Sequence, residues 1–97
     1  MQHRKIAFIG AGNMTRSIIS GLVNNVYPAY LITASNPSMG KLSALHADFK
    51  INVTQQNNEA LNTADVIVLA VKPQLMEQVC AKLALEQNLS DKLFISI

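Results

Sequence analysis

The segment Gly10-Ala11-Gly12-Asn13-Met14-Thr15 has the residue types and spacing of a phosphate grip. Gly10 permits a tight turn. Gly12 carries no Cβ, so a pyrophosphate can come up against the backbone. If Asn13 and Met14 open a helix, their N–H groups have no intrahelical acceptor and point at the ligand. Such loops often hold a third glycine where this chain has Thr15. That position governs how closely helix and strand pack, so Thr15 implies a slightly wider contact with binding retained. The competing reading is an ordinary glycine turn with no nucleotide. Context decides between them, because the fingerprint must follow a strand and open a helix.

A second candidate lies at Ser35-Asn36-Pro37-Ser38. NAD-specific folds usually place Asp or Glu at this point, after the second strand, to hold the ribose hydroxyls. No acid stands here. A carboxylate would repel a 2′-phosphate, whereas hydroxyls, an amide and a second helix N-terminus can accept one. The expected coenzyme is therefore NADP, with NADPH preferred over NADH. The nearest cation is Lys41 and no arginine is close, which keeps the expected preference moderate. Ser38 can also be read as the N-cap of the following helix.

The elements that must position these residues alternate along the chain. Ile6-Ala7-Phe8-Ile9 is a short apolar strand stopped by Gly10. From Asn13, Met14, Ile18, Leu22 and Val26 recur every fourth residue with Ile19 and Val23 beside them, which predicts an amphipathic helix. Tyr30 to Ala34 is a second strand. Leu42, Leu45 and Phe49 mark a helix from about Ser38, and Ile51 with Val53 a short third strand. A polar stretch then leads to a helical turn through Ala60 and Leu61. Asp65 to Val71 is apolar without alternation, as in a strand buried on both faces of a parallel sheet. Pro73 suits a helix start, with Leu75, Met76, Val79, Cys80 and Leu83 as its face, and Leu93 to Ile97 is a fifth strand. The fold class is α/β: a Rossmann-type doubly wound parallel sheet of about five strands, order 3-2-1-4-5, with helices on both faces.

Length and composition bound the function. Ninety-seven residues make one domain, read as an NADP-binding unit over residues 1–97, and the strand at its end suggests a piece of something longer. With 49% hydrophobic and 14% charged residues the chain can bury a core. The net charge of +2 is spread out, the longest basic run being Arg4-Lys5, so no nucleic-acid partner is expected. A single cysteine, Cys80, rules out an internal disulfide framework and suits a reducing cytosol. No stretch approaches the roughly 18 apolar residues of a membrane span, so no membrane partner is expected and the expected location is cytoplasmic. His3 reads as a tail residue and His46 as an exposed helix position. Cys80 reads as a small core residue, and Met39 and Met76 as packing. No metal set is expected.

From Phe8-Ile9-Gly10-Ala11-Gly12-Asn13-Met14 onward the sequence resembles the pyrroline-5-carboxylate reductases. The likeness continues at Ser35-Asn36-Pro37-Ser38, Asn57-Asn58-Glu59-Ala60 and Ala64-Asp65-Val66. It is strongest at Leu69-Ala70-Val71-Lys72-Pro73-Gln74 and returns at Ile95-Ser96-Ile97, so it covers the whole chain. The resemblance implies NAD(P)H-dependent hydride transfer to 1-pyrroline-5-carboxylate, a small-molecule imine, in the last step of proline biosynthesis. It implies that Ile9, Gly10, Ala11, Gly12, Asn13 and Met14 hold the pyrophosphate. Ser35 and Asn36 would contact the 2′-phosphate, Asn57 the adenosine half, and Ala70, Val71, Lys72 and Pro73 the nicotinamide ribose. Lys72 either meets a phosphate or ribose hydroxyl or is simply solvated.

The family's substrate pocket and dimer interface belong to a C-terminal helical domain outside this chain. No catalytic proton donor is therefore assigned, and the homo-oligomer the family implies would form through that domain. Two other readings stand beside this one. One is a free-standing nucleotide-binding module without catalysis; the other is a different NADP oxidoreductase, such as a deazaflavin-linked NADP reductase.

Overall fold

A computed structural model of the chain describes residues 4–62, 64–70 and 93–97. Five strands form one sheet: β1 Ile6–Ile9, β2 Ile32–Ser35, β3 Asn52–Thr54, β4 Val66–Leu69 and β5 Leu93–Ser96. All neighbouring pairs run parallel, in the order β3-β2-β1-β4-β5. The described helices are α1 Asn13–Asn24, α2 Met39–Phe49 and α3 Asn57–Asn62, with a 3₁₀ turn at Ala29–Leu31 ahead of β2. That turn displaces the start of the second strand from the expected Tyr30 to Ile32. The helix expected from Pro73, with Met76 and Cys80, lies outside the described residues, as do His3 and the Val71 end of the fourth strand.

Both faces of the sheet are covered, which is why its inner strands read as unbroken apolar runs. On one face Phe8, Ile32 and Ala34 pack with Ile19 of α1 and Leu42 and Leu45 of α2. On the other, Ala7, Ile9, Ile67 and Leu69 pack with Ala60 and Leu61 of α3. Phe8, Ile19 and Ile67 are fully buried. Truncating a fully buried aromatic such as Phe8 to alanine costs on the order of 3–5 kcal/mol.

Two helical expectations are corrected by the packing. The i+4 spacing puts Met14 and Val26 in the apolar stripe of α1, yet they are 61% and 87% exposed. The buried stripe instead runs through Thr15 and Ile19, flanked by Ile18, Leu22 and Val23. The helix ends at Asn24, and Val26 lies beyond it with φ of 60°. Met39, expected in the packing, is 43% exposed as the first residue of α2. His46 is exposed as expected, with its Nδ1 2.9 Å from the Ile51 carbonyl. Lys50 takes a left-handed C-cap at φ 63°, and its N–H donates to the His46 carbonyl to close α2.

Candidate coenzyme-binding site

The strand register sets the site. Thr54, Ser35, Ile9, Leu69 and Ser96 are mutual partners across the sheet, so the five strands end along one line. One residue further on, Gly10 donates its N–H to Ser35 O at 2.8 Å and Asn36 to Thr54 O at 3.2 Å. Ala70 donates to Ile9 O at 2.8 Å and Ile97 to Leu69 O at 3.1 Å. The loops after β1, β2, β3 and β4 therefore open at the same edge. Chain order reverses between β1 and β4, where α1 leaves toward one face and α3 belongs to the other. In open parallel sheets this crevice, beyond the carboxyl ends of the strands, is where ligands bind.

Gly10 has φ of 109°, a region only glycine enters without strain. Gly12 is the N-cap of α1 with extended backbone, φ −81° and ψ −171°. A Cβ built on Gly12 would meet nothing within 4 Å, so the space above it is open. No side chain caps α1 and no acidic residue sits in its first turn. The N–H groups of Asn13 and Met14 and the helix dipole thus face that space uncompensated, which suits a diphosphate. Both residues are exposed.

Thr15 does more than widen a contact. It is fully buried, and its hydroxyl donates to the Gly10 carbonyl at 2.9 Å. The first turn of α1 is thereby tied to the glycine turn. Asn36 ties the same loop from the other side: its Oδ1 accepts the Ala11 N–H at 3.2 Å. Its Nδ2 donates to the Ser38 carbonyl and hydroxyl, each at 3.2 Å. Ala11, itself buried, therefore spends its N–H inside the protein. Ser38 occupies the N-cap position of α2 without a side-chain cap bond, and α2 also has no acid in its first turn. Two uncompensated helix N-termini, those of α1 and α2, are joined through one asparagine.

Ser35 is placed differently from the expectation of a direct phosphate contact. It is fully buried, and its hydroxyl donates to Asn57 Oδ1 at 2.7 Å. It presents no exposed surface in this structure. Asn57, the first residue of α3, is only partly buried. Beside it, Thr54 donates to the Glu59 carboxylate at 2.7 Å. Ile9 is buried beneath the loop, and Ala70 stands across the crevice at the end of β4. Val71, Lys72 and Pro73 lie outside the described residues.

The sequence singles out the glycine loop and Asn57 as candidates but carries no sign of the links among them. The Ser35–Asn57 and Asn36–Ala11 bonds span 22 and 25 residues, and no local pattern signals such pairs. A surface cavity of about 330 Å³ lies elsewhere, lined by Lys5, Tyr30, Asn52 and Glu59 among others, with no glycine-loop residue in its wall. Among the described residues no group of three or more His, Cys, Asp or Glu could hold a metal, and no helix is long and apolar enough to cross a membrane.

The parallel order, the glycine turn and the open helix N-terminus define a Rossmann-type α/β fold. The chain belongs to the family described as NADP oxidoreductase coenzyme F420-dependent, which matches residues 5–97. It is 54% identical over 97 residues to a pyrroline-5-carboxylate reductase of Vibrio alginolyticus, covering all of this chain and 35% of that protein. A pyrroline-5-carboxylate reductase from Coxiella burnetii superposes with a TM-score of 0.93 at 38% identity, over 99% of this chain and 36% of its own. A Plasmodium falciparum pyrroline carboxylate reductase, solved with NADP bound, gives 0.80 at 30% identity, over 100% and 34% of the two chains. The chain thus spans about a third of the length of the curated relatives it matches.

Proposed function

We propose that this chain is the coenzyme-binding domain of an NADPH-dependent pyrroline-5-carboxylate reductase, making L-proline from the cyclic imine. The observation that carries the proposal is the glycine loop: open space above Gly12 beside an uncapped helix N-terminus with no acid in its first turn. The reductases to which the chain is 54% and 44% identical supply the substrate class.

The protein residues bind and orient. Asn13 and Met14 donate backbone N–H groups to the pyrophosphate, and Gly12 lets it approach. The Asn36–Ser38 loop, with the N-terminus of α2 behind it, receives the adenosine 2′-phosphate; that loop holds no carboxylate, which favours NADPH over NADH. Asn57 serves the adenosine half. Ala70 bounds the nicotinamide end. When bound, the coenzyme supplies the hydride, and the domain's task is to hold its reactive carbon toward a substrate domain that follows in the longer protein. Catalysis and homo-oligomer formation belong to that second part.

The test is NADPH-dependent reduction of 1-pyrroline-5-carboxylate by the full-length protein, with calorimetric titration of NADPH and NADH. Tighter NADPH binding and turnover of the imine are expected. NADPH binding without imine turnover refutes the substrate, and failure to bind either coenzyme refutes the site. A deazaflavin-linked NADP reductase is the second reading, favoured by the description of the family; oxidation of NADPH by coenzyme F420 in place of the imine would establish it.

A further inference from the structure

We infer that Ser35 is a positioning residue, acting on the coenzyme only through the amide of Asn57. The inference rests on the coenzyme-binding reading above. Ser35 lies at the last position of β2, fully buried, and its hydroxyl is committed to Asn57 Oδ1 at 2.7 Å. A buried hydroxyl without a partner is costly, so this bond holds firmly. Its consequence falls on Asn57. An asparagine amide has an acceptor end and a donor end, and a free side chain can present either. With Oδ1 pinned inward by Ser35, the Nδ2 end must point away.

No protein partner of Asn57 Nδ2 exists among the described residues, and none of their buried side-chain nitrogens or oxygens lacks a partner. Nδ2 is therefore open to solvent. It stands at the start of α3, beside the Asn36 row at the carboxyl ends of β2 and β3. Ser35 thus turns Asn57 into a donor aimed at the acceptors of an adenosine: ring nitrogens or ribose oxygens. The backbone of Ser35 completes the arrangement, because its carbonyl receives the Gly10 N–H at 2.8 Å. One buried residue accordingly sets both the glycine turn, through its main chain, and the adenosine donor, through its side chain. Replacing the side chain separates the two functions.

The experiment is a double-mutant cycle on Ser35→Ala, Asn57→Ala and the pair, read by calorimetric titration with NADPH, adenosine 2′,5′-bisphosphate and nicotinamide mononucleotide. Ser35→Ala should weaken NADPH and the bisphosphate by the same factor, about tenfold, the effect of one net hydrogen bond. Nicotinamide mononucleotide affinity should not change. In the Asn57→Ala background, Ser35→Ala should have no further effect on any of the three, because its only route is gone. Equal losses in both backgrounds, or a loss that extends to nicotinamide mononucleotide, would show a general structural role and overturn the inference. Unchanged NADPH affinity in a folded Ser35→Ala protein would overturn it too. Where wild-type protein fails to bind NADPH at all, the coenzyme reading itself falls, a result distinct from a failed cycle in a protein that binds. Should Ser35→Ala fold poorly, Ser35→Cys keeps a weak donor of similar size and should fall between serine and alanine in NADPH affinity; affinity equal to wild type or to alanine would count against the bond.

Discussion

Replacing Gly12 by valine should remove coenzyme binding while leaving the domain folded. The backbone at this residue, φ −81° and ψ −171°, is extended and suits a β-branched side chain. A Cβ there meets nothing within 4 Å, so the branch point itself enters without a clash. The folding penalty reduces to a poorer N-cap, about 1 kcal/mol or less, which lowers Tm by at most about 4–8 °C in a domain of this size. Binding suffers far more, because the isopropyl group fills the space through which a pyrophosphate reaches the N–H groups of Asn13 and Met14. Two charge-assisted hydrogen bonds at roughly 1.5–3 kcal/mol each are lost, a weakening of about 10² to 10⁴-fold. The assay is calorimetric titration of NADPH into wild-type and Gly12→Val protein, with thermal unfolding followed by circular dichroism. Native spectra with unchanged affinity would place the ligand elsewhere and refute the reasoning. A collapsed fold would refute the claim that the space above Gly12 is free.

Three further outcomes follow from other contacts. Asn36→Asp keeps an acceptor for the Ala11 N–H but loses both donations to Ser38 and sets a carboxylate where the 2′-phosphate is proposed to lie. The NADPH-to-NADH affinity ratio, expected at about ten- to a hundredfold in wild type, should fall to one or below, and an unchanged ratio in paired titrations would show that another segment reads the phosphate. Thr15→Val removes the buried hydroxyl bond to the Gly10 carbonyl at constant shape and should cost about 1–2 kcal/mol of stability in urea unfolding, with weaker NADPH binding as the glycine turn loosens; a variant as stable as wild type would show that this bond does not secure the turn. Val26→Asn relieves a β-branched residue held at φ 60° on an exposed site and should raise stability by about 0.5–1 kcal/mol, while a decrease would show that the valine side chain makes contacts that matter.

The order of elements was legible because each kind of element writes its own period. Ile6–Ile9 and Val66–Leu69 are buried on both faces, and a strand so placed must be apolar throughout. The candidate phosphate loop was legible because its features are local: a turn, a missing Cβ and a helix start within six residues. The rotation of α1 was not. Met14 and Val26 continue a perfect i+4 series, yet the helix buries Thr15 in place of Met14. Periodicity counts apolar residues and cannot foresee that a threonine will be drawn inward by a carbonyl on the preceding turn.

The sequence by itself therefore determined the architecture, the family likeness and the candidate phosphate loop. Tertiary structure alone decided how the loops are held against one another. Ser35 and Asn36 are adjacent and similar in chemistry, and both read as ligand contacts. Alternation along β2 and its end sends them to different fates: Ser35 beneath the surface to Asn57, Asn36 across the carboxyl edge to Ala11 and Ser38. Which neighbour each polar residue braces depends on strand register. Register is fixed only when the sheet's neighbours are in place, because it depends on residues 19 to 26 positions away.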